Sequence, residues 1–482
     1  MGCVRLLMSK TKNKIRISFV GMNSEDVTGS MNLIEFNGRK LLIESGLFQN
    51  ESILKCFEIN SRKLPFKPSE LDYIFIMHNH IDHCGLLPRL YAQGCHAKII
   101  VPKGFESLFE VMAQDSAFIM ERDVQTIKRR YKKDVLPIYN DSDVRTTLPY
   151  FQEYDFDEKI ELDDEITFRF LNSAHIVCAA QLELWINNAG HISKIGVTSD
   201  LGNITIPKHY VTSFEPIEKC NLLIGESTYA DNKRSVSIKD REKDLEKIHA
   251  VINTVCCDNK HKVLIPVFSL DRTQNILTIL YDMFHEDKSF STPVIVDSPL
   301  ACKITRLYEQ LLDGEELDKY HDVMNWNNIK FIEEYADSKV YQESKKPVIV
   351  LACSGFMGNG RSRQWAKVLL PDSQSQILFV GYSSEGSLSY KIKKGKVTKT
   401  ISIDGKAYPN RCNVCDLLSF SSHMQHNELL KYYSDVNCEK VALVHGEFKA
   451  KCEFAKELQE EISKKNKTSK VIAVNRSTEI LL

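Results

Sequence analysis

The 482-residue sequence has no apolar run long enough to span a bilayer, no internal repeat and no low-complexity tract. Those absences exclude a helical membrane protein, a solenoid and a largely disordered chain. Charge of one sign is missing too: 63 Lys and Arg oppose 64 Asp and Glu, for a formal net charge of -1. With no whole-molecule field, a nucleic-acid partner would have to be held by a local basic patch, so bulk charge neither supports nor excludes RNA or DNA. The 14 cysteines show no framework spacing and follow no secretory leader. They read as reduced thiols of an intracellular, cytoplasmic protein rather than as a disulfide scaffold. The opening MGCVRL resembles a myristoylation signal only in Gly2, because Leu6 stands where Ser or Thr is needed, so no membrane partner is expected.

What is present is a globular balance, 43% hydrophobic and 26% charged, in a chain too long for one core. Two or three domains, or one inserted in another, are expected. From Ile15, the runs KIRISFV, MNLIEFNG, RKLLIESG and LDYIFIM read as successive strands. Between Glu106 and Lys132 the spacing turns helical, as one helix or two, with Phe118 and Met120 expected in the core. Strand-like runs return in ITFRFLNSAH, QLELWI, KIGVTSD and CNLLIGEST. From Tyr229 to about Gly386, helical segments alternate with KVLIPVFS, TPVIVDSP, PVIVLACS and QILFVG, the grammar of a parallel sheet.

The densest chemistry lies in IFIMHNHIDHCGLLPRL. A strand over Asp72 to Met77 leaves His78 where sheet gives way to loop, and a loop there can turn several side chains toward one point. HNHIDH supplies His78, His80, Asp82 and His83, more donors than one four-coordinate ion would take from so short a segment. Two metals are the economical reading, and distant strand ends must then supply the other ligands. His175 after ITFRFLNSA, Asp200 after KIGVTS and His445 after KVALV each end an apolar run, as do Glu226 after CNLLIG and His423 after LLSFSS. Cys412 and Cys415 followed by His423 and His426 imitate a zinc finger, but the linker and the His spacing are too short for one.

HNHIDH resembles the HxHxDH signature of the metallo-β-lactamase fold, and SAHI, TSDLG, EST, SSH and VHGE follow in that family's order. The last three are similar to motifs of the β-CASP branch of nucleases, which includes the endonuclease of pre-mRNA 3′-end cleavage and ribonuclease J. GLFQ, VFSLDRTQNIL, VDSPLA, CSGFMGNGRS and GYSSEGSL resemble its connecting segments, so the likeness covers nearly the whole chain. It implies an α/β fold: an αββα metallo-β-lactamase sandwich over residues 15–228 and 390–482, with an inserted α/β β-CASP cap at 229–389.

Carried over by position, the resemblance makes His78, His80 and His175 ligands of one metal and Asp82, His83 and His445 ligands of the other, with Asp200 bridging. Imidazole and carboxylate suit two Zn²⁺ and tolerate Mn²⁺. The implied reaction is hydrolysis of a phosphodiester by hydroxide held between the metals, with His423 as general acid and Glu226 orienting it and raising its proton affinity. In CSGFMGNGRS, Ser354, Gly355, Gly358, Gly360 and Arg361 suit a backbone approach to phosphate, although a simple turn explains the loop equally well, and Arg272 in VFSLDRTQNIL is a further implied contact. The lysines of YKIKKGKVTKT and IKRRYKK could contact phosphates, but a solvated face is the reading preferred for them. RNA is favoured over DNA because His445 stands where RNA-acting members resemble one another, and a homodimer is the protein partner implied.

Three positions depart from the family pattern: Glu44 stands for the usual Asp, Cys178 for a small residue and Gln425 for an acid. The alternative readings are an inactive RNA-binding or assembly subunit, a DNA-directed nuclease, and a hydrolase of small esters or thioesters. The intact ligand set argues against the first. In the last, neither the cap nor the His423–Glu226 pair would have a role.

Overall fold

Alternating apolar residues build a first sheet that is covered on both faces. Ile34, Phe36, Leu41 and Ile43 enter one core while Leu33 and Leu42 enter another, the period of two that a strand imposes. In this computed structural model, residues 14–482 are described except 51, 207, 212, 232–235, 384–385 and 396–398. The lipidation reading at Gly2 and Leu6, and part of YKIKKGKVTKT, lie outside the described residues.

The first sheet runs in the order Glu479–Leu481, Arg16–Phe19, Asn32–Phe36, Arg39–Ile43, Tyr73–Phe75, Lys98–Pro102 and Phe151–Tyr154. It is antiparallel as far as Arg39–Ile43 and parallel beyond. A second sheet runs Lys470–Ala473, Asn437–Val444, Lys219–Glu226, His191–Val197, Ala180–Asn188, Ile166–Asn172 and Ile160–Glu161. Their inner faces share one core, where the Phe168 ring packs edge-on against Phe75 at 5.6 Å and Tyr154 at 5.0 Å. The helix Phe105–Tyr131 covers the outer face of the first sheet, and His426–Asp435 and Phe448–Lys464 cover that of the second. This is the αββα sandwich.

Phe105–Tyr131 is one helix of 27 residues. Its buried stripe runs through Phe105, Phe109, Ala113 and Ala117; Phe118, one position off that stripe, faces solvent with 58% of its surface exposed. The expectation of a core Phe118 is corrected accordingly, whereas Met120 does pack against the core.

The sandwich unit comprises the described residues of Met1–Ile204, Val211–Ser235 and Ser422–Leu482, and a second unit comprises those of Thr205–Tyr210 and Val236–Ser421. The second unit holds an all-parallel sheet in the order Ile329–Ile332, Val294–Asp297, Val348–Ala352, Lys262–Pro266, Gln376–Phe379 and Asn413–Asp416, with an apolar core on each face. It extends beyond the 229–389 drawn from sequence. Asn413–Asp416 pairs with Gln376–Phe379, and Ile401 and Ile403 of the hairpin Thr400–Ile403/Lys406–Pro409 join the same core. Strand-like text does not reveal which sheet a strand will join.

Candidate metal centre

Strand ends of the sandwich unit bring the donors together. His78 lies just past Tyr73–Phe75, His175 past Ile166–Asn172, Asp200 past His191–Val197 and His445 past Asn437–Val444, while Glu226 ends Lys219–Glu226. Parallel pairing sets Glu226 beside Val444 and Val197 beside Ile224, so three of these tips share one edge of the sheet. Turning their side chains into one volume takes unusual backbone. Glu44, Ala174, Cys178, Ser199 and His445 all have left-handed φ, between 49° and 65°, and non-glycine residues hold that conformation mostly where surrounding structure enforces it. Two glycines let the loops cross. A Cβ on Gly46 would lie 1.6 Å from the Asp82 carbonyl oxygen, and one on Gly202 would lie 1.6 Å from that of Ala174.

Two groups of donor atoms result, with Asp200 shared. In the first, His78 Nε2 and His175 Nε2 lie 3.2 and 3.3 Å from His80 Nδ1, and 3.6 and 3.5 Å from Asp200 Oδ2. In the second, His83 Nε2 lies 3.2 Å from both His445 Nε2 and Asp200 Oδ1, and Asp82 Oδ2 lies 3.5 Å from His445 Nε2 and 4.0 Å from His83 Nε2. Ligands on a tetrahedron of about 2.0–2.1 Å radius are about 3.4 Å apart, so most of these spacings are close to those of a tetrahedral metal site, with the Asp82–His83 pair wider at 4.0 Å.

Charge gives an independent test of fit. Glu44, Asp82, Asp200 and Glu226 have side chains at most 18% exposed, and among the described residues their only ion-pair partners are histidines. Carboxylates held away from water demand compensating positive charge, and divalent cations would supply it. Burial pushes His78 and His80 down to about 4 and drives His175 well below its ordinary value. These three imidazoles are therefore neutral lone-pair donors. Burial opposes ionisation of Asp82 and Asp200, yet the neighbouring histidines hold both well below the usual carboxylate range. His83 goes the other way: burial lowers its pKa, but Asp200 and Glu44 raise it further, so it carries the proton that a cation would replace.

His423 and Glu226 stand beside the first group. His423 Nδ1 is 3.5 Å from Glu226 Oε1, and its ring is 4.6 Å from that of His175. Glu226 is pinned by the Leu201 N–H on Oε1 at 2.9 Å and the Thr228 N–H on Oε2 at 3.0 Å. Burial lowers the proton affinity of His423, but Glu226 and then Asp200 outweigh it, and the net shift is upward. With 23% of its side chain exposed, His423 keeps an edge toward incoming molecules.

Two residues that sequence reasoning passed over complete the centre. Thr228 Oγ1 contacts His445 Nδ1 at 2.9 Å, which leaves Nε2 for a ligand bond. Ser199 Oγ donates to Glu44 Oε1 at 2.9 Å. The three departures also find places. Glu44 reaches to 3.4 Å from His83 Nδ1 despite its extra methylene. Cys178 sits at φ 58°, which accounts for a small residue being usual there, and burial pushes its thiol up to about 12. Gln425 caps His426–Asp435, its N–H donating to Glu428 Oε2 at 2.8 Å.

The expected substrate contacts lie in the second unit. Gly358 and Gly360 are exposed and Ser354 and Gly355 half-buried. Arg361 instead ties the unit together, donating to Asp297 Oδ1 at 2.9 Å and to the carbonyls of Glu333 and Glu334. Arg272 is buried and donates to the Val380 carbonyl. Cys412 donates its thiol to the Ser375 carbonyl at 3.1 Å, a contact internal to the second unit.

Comparison with known proteins adds three family matches: the metallo-beta-lactamase superfamily over residues 25–171, a Beta-Casp domain over 273–392 and a Zn-dependent metallo-hydrolase RNA specificity domain over 407–469. The chain is 27% identical over 431 residues to Ribonuclease TTHA0252 of Thermus thermophilus, covering 88% of this chain and 91% of that one. It is 27% identical over 453 residues to Transcription termination factor FttA of Methanocaldococcus jannaschii, covering 91% and 68%. A solved structure of a protein of unknown function from Enterococcus faecalis V583 aligns with 97% of this chain and 100% of its own at a TM-score of 0.54 and 11% identity, a likeness of fold.

Proposed function

Because this chain belongs to the β-CASP branch of the metallo-β-lactamase superfamily, we propose that it is a metal-dependent nuclease that hydrolyses phosphodiester bonds in RNA. The observation that carries this reading is the pair of donor clusters, His78, His80 and His175 beside Asp82, His83 and His445, with Asp200 placing Oδ2 toward the first and Oδ1 toward the second and the His423–Glu226 pair at their edge. His78, His80, His175 and Asp200 Oδ2 would hold one divalent cation, and Asp82, His83, His445 and Asp200 Oδ1 the other. When bound, such cations polarise a phosphoryl oxygen and lower the pKa of water from about 15.7 to roughly 7.

The chain's own residues account for the rest. Asp200 presents one oxygen to each group and so fixes their separation. Thr228 holds the His445 ring, and Glu226 keeps His423 protonated, with Nδ1 facing the carboxylate and Nε2 as the atom that would pass a proton to the departing oxygen. Zinc is supported by the donor set and by the Zn-dependent domain matched at 407–469, although manganese tolerates the same ligands. RNA is supported by that domain's stated specificity and by the ribonuclease among the relatives. The Ser354–Gly360 loop is the proposed phosphate contact of the second unit, and free thiols suit a cytoplasmic location. The test is turnover of matched RNA and DNA oligonucleotides by chelator-stripped protein restored with zinc or manganese. Cleavage of RNA only after restoration is expected. Cleavage of DNA alone, or full activity in chelator, would overturn the proposal.

A further inference from the structure

Around Glu44, protons can be assigned by counting. Ser199 Oγ lies 2.9 Å from Glu44 Oε1, 3.2 Å from His78 Nδ1 and 3.5 Å from His83 Nδ1, and His83 Nδ1 lies 3.4 Å from the same Glu44 oxygen. Glu44, His78 and His83 are each at most 2% exposed and Ser199 is 8% exposed, so Glu44 Oε1, Ser199 Oγ and the two Nδ1 atoms face one another and not water. An ionised carboxylate only accepts, and a hydroxyl has a single proton to give. Ser199 gives that proton to Glu44, and its oxygen can then meet His78 Nδ1 only as an acceptor. His78 therefore carries its proton on Nδ1 and its lone pair on Nε2, the atom that faces His80 and Asp200. His83 Nδ1 likewise points its N–H at Glu44, which leaves Nε2 as the position where a cation would replace a proton.

We propose that Ser199 is a positioning residue that extends the reach of Glu44 to His78, so that one buried carboxylate sets the tautomer of one imidazole in each cation group. The backbone supports this. Ser199 sits at φ 49° and Glu44 at φ 65°, a region where glycine is the easy choice, yet both positions carry the side chains that the relay uses. The inference rests on the two-cation reading given above. Outer-shell partners of this kind typically change metal affinity by about 10- to 100-fold.

The test titrates chelator-stripped full chain with Zn²⁺ against a competing fluorescent chelator, comparing wild type with Ser199→Ala, Ser199→Gly and Glu44→Gln. Both Ser199 variants are expected to weaken one binding step by about tenfold or more and leave the other nearly unchanged, and Glu44→Gln is expected to weaken both. Unchanged affinity in Ser199→Ala overturns the relay. So does recovery in Ser199→Gly of what Ser199→Ala loses, since that would trace the effect to backbone strain and not to the hydroxyl. Nitrogen NMR of metal-free, ¹⁵N-histidine-labelled wild type gives a second readout, with the His78 signal assigned by its loss in His78→Gln. An Nδ1–H tautomer is expected and an Nε2–H tautomer would refute the relay, even if a variant failed to fold. Should the chain bind no divalent cation, the nuclease proposal fails while the tautomer still decides the relay.

Discussion

Replacing Glu226 by Gln keeps the side chain's shape and removes one negative charge from beside His423. Both native carboxylate oxygens accept a backbone N–H, from Leu201 at 2.9 Å and from Thr228 at 3.0 Å. An amide offers one acceptor and one donor group, so one of those buried N–H groups must face another donor, at a cost of about 1–3 kcal/mol. The electrostatic effect is separate. Burial pulls His423 toward the neutral form, and Glu226 is the first of the groups that outweigh it. Without the Glu226 charge the balance moves down. On the proposed mechanism protonated His423 is the competent acid, so native activity should persist as pH rises toward the raised pKa, while Glu226→Gln should lose activity at lower pH. General-acid catalysis is worth about 10²–10⁴-fold, and partial loss of it predicts a kcat deficit of about 10- to 100-fold near pH 8 that narrows toward pH 6. Initial rates on a labelled RNA at saturating substrate and metal, measured across that range, provide the assay. A mutant profile that merely parallels the native one, lower by a constant factor, would refute the proton-affinity argument and leave Glu226 as a scaffold for the loops at Leu201 and Thr228.

Other perturbations address other links. His175→Ala removes one corner of the first donor group, and elemental analysis after gel filtration should find about one cation per chain in place of about two; retention of the full complement would show that His175 is no ligand. Gly202→Ala puts a Cβ 1.6 Å from the Ala174 carbonyl oxygen and forces the two loops apart, with an expected loss of about 3 kcal/mol in denaturant unfolding; an unchanged midpoint would mean that the crossing is soft. Lys451, fully buried, donates to the carbonyls of Ser24 at 2.6 Å and Val474 at 3.1 Å, and burial pulls its pKa from 10.5 down to about 8. The unfolded chain keeps this proton up to about pH 10.4, so stability from this group should rise by about 3 kcal/mol between pH 8 and that value. Lys451→Met should erase that rise in difference profiles of unfolding free energy, and a rise of equal size in both proteins would count against it.

The parts of the centre that were legible in sequence share one property: each departs visibly from its neighbours. HNHIDH packs its donors into six positions, and His175, Asp200 and His445 each interrupt an apolar run at the point where a strand must end. Ser199 and Thr228 carry no such mark. Their roles arise from contacts with Glu44 and His445, 155 and 217 positions away. Arg361 is read from its charge beside three glycines, while its pairing with Asp297, 64 positions away, leaves no local mark. Phe118 fails by one helical position, an angle of about 100° that periodicity over a short window does not resolve.

Strand tips explain why strained backbone borders the donor cluster. In a sheet, successive side chains point to opposite faces, so neighbouring tips cannot by themselves aim their donors at one volume beyond the sheet's edge. A left-handed residue at the turn breaks the alternation. That conformation recurs at Glu44, Ala174, Ser199 and His445, which places the distortion at the junction between the rigid core and the donors. The shared Phe75–Phe168–Tyr154 core then has a functional consequence as well as a structural one. It fixes the strands from which His78 and His175 depart, and with them the 3.2 and 3.3 Å spacings to His80 on which tetrahedral coordination depends.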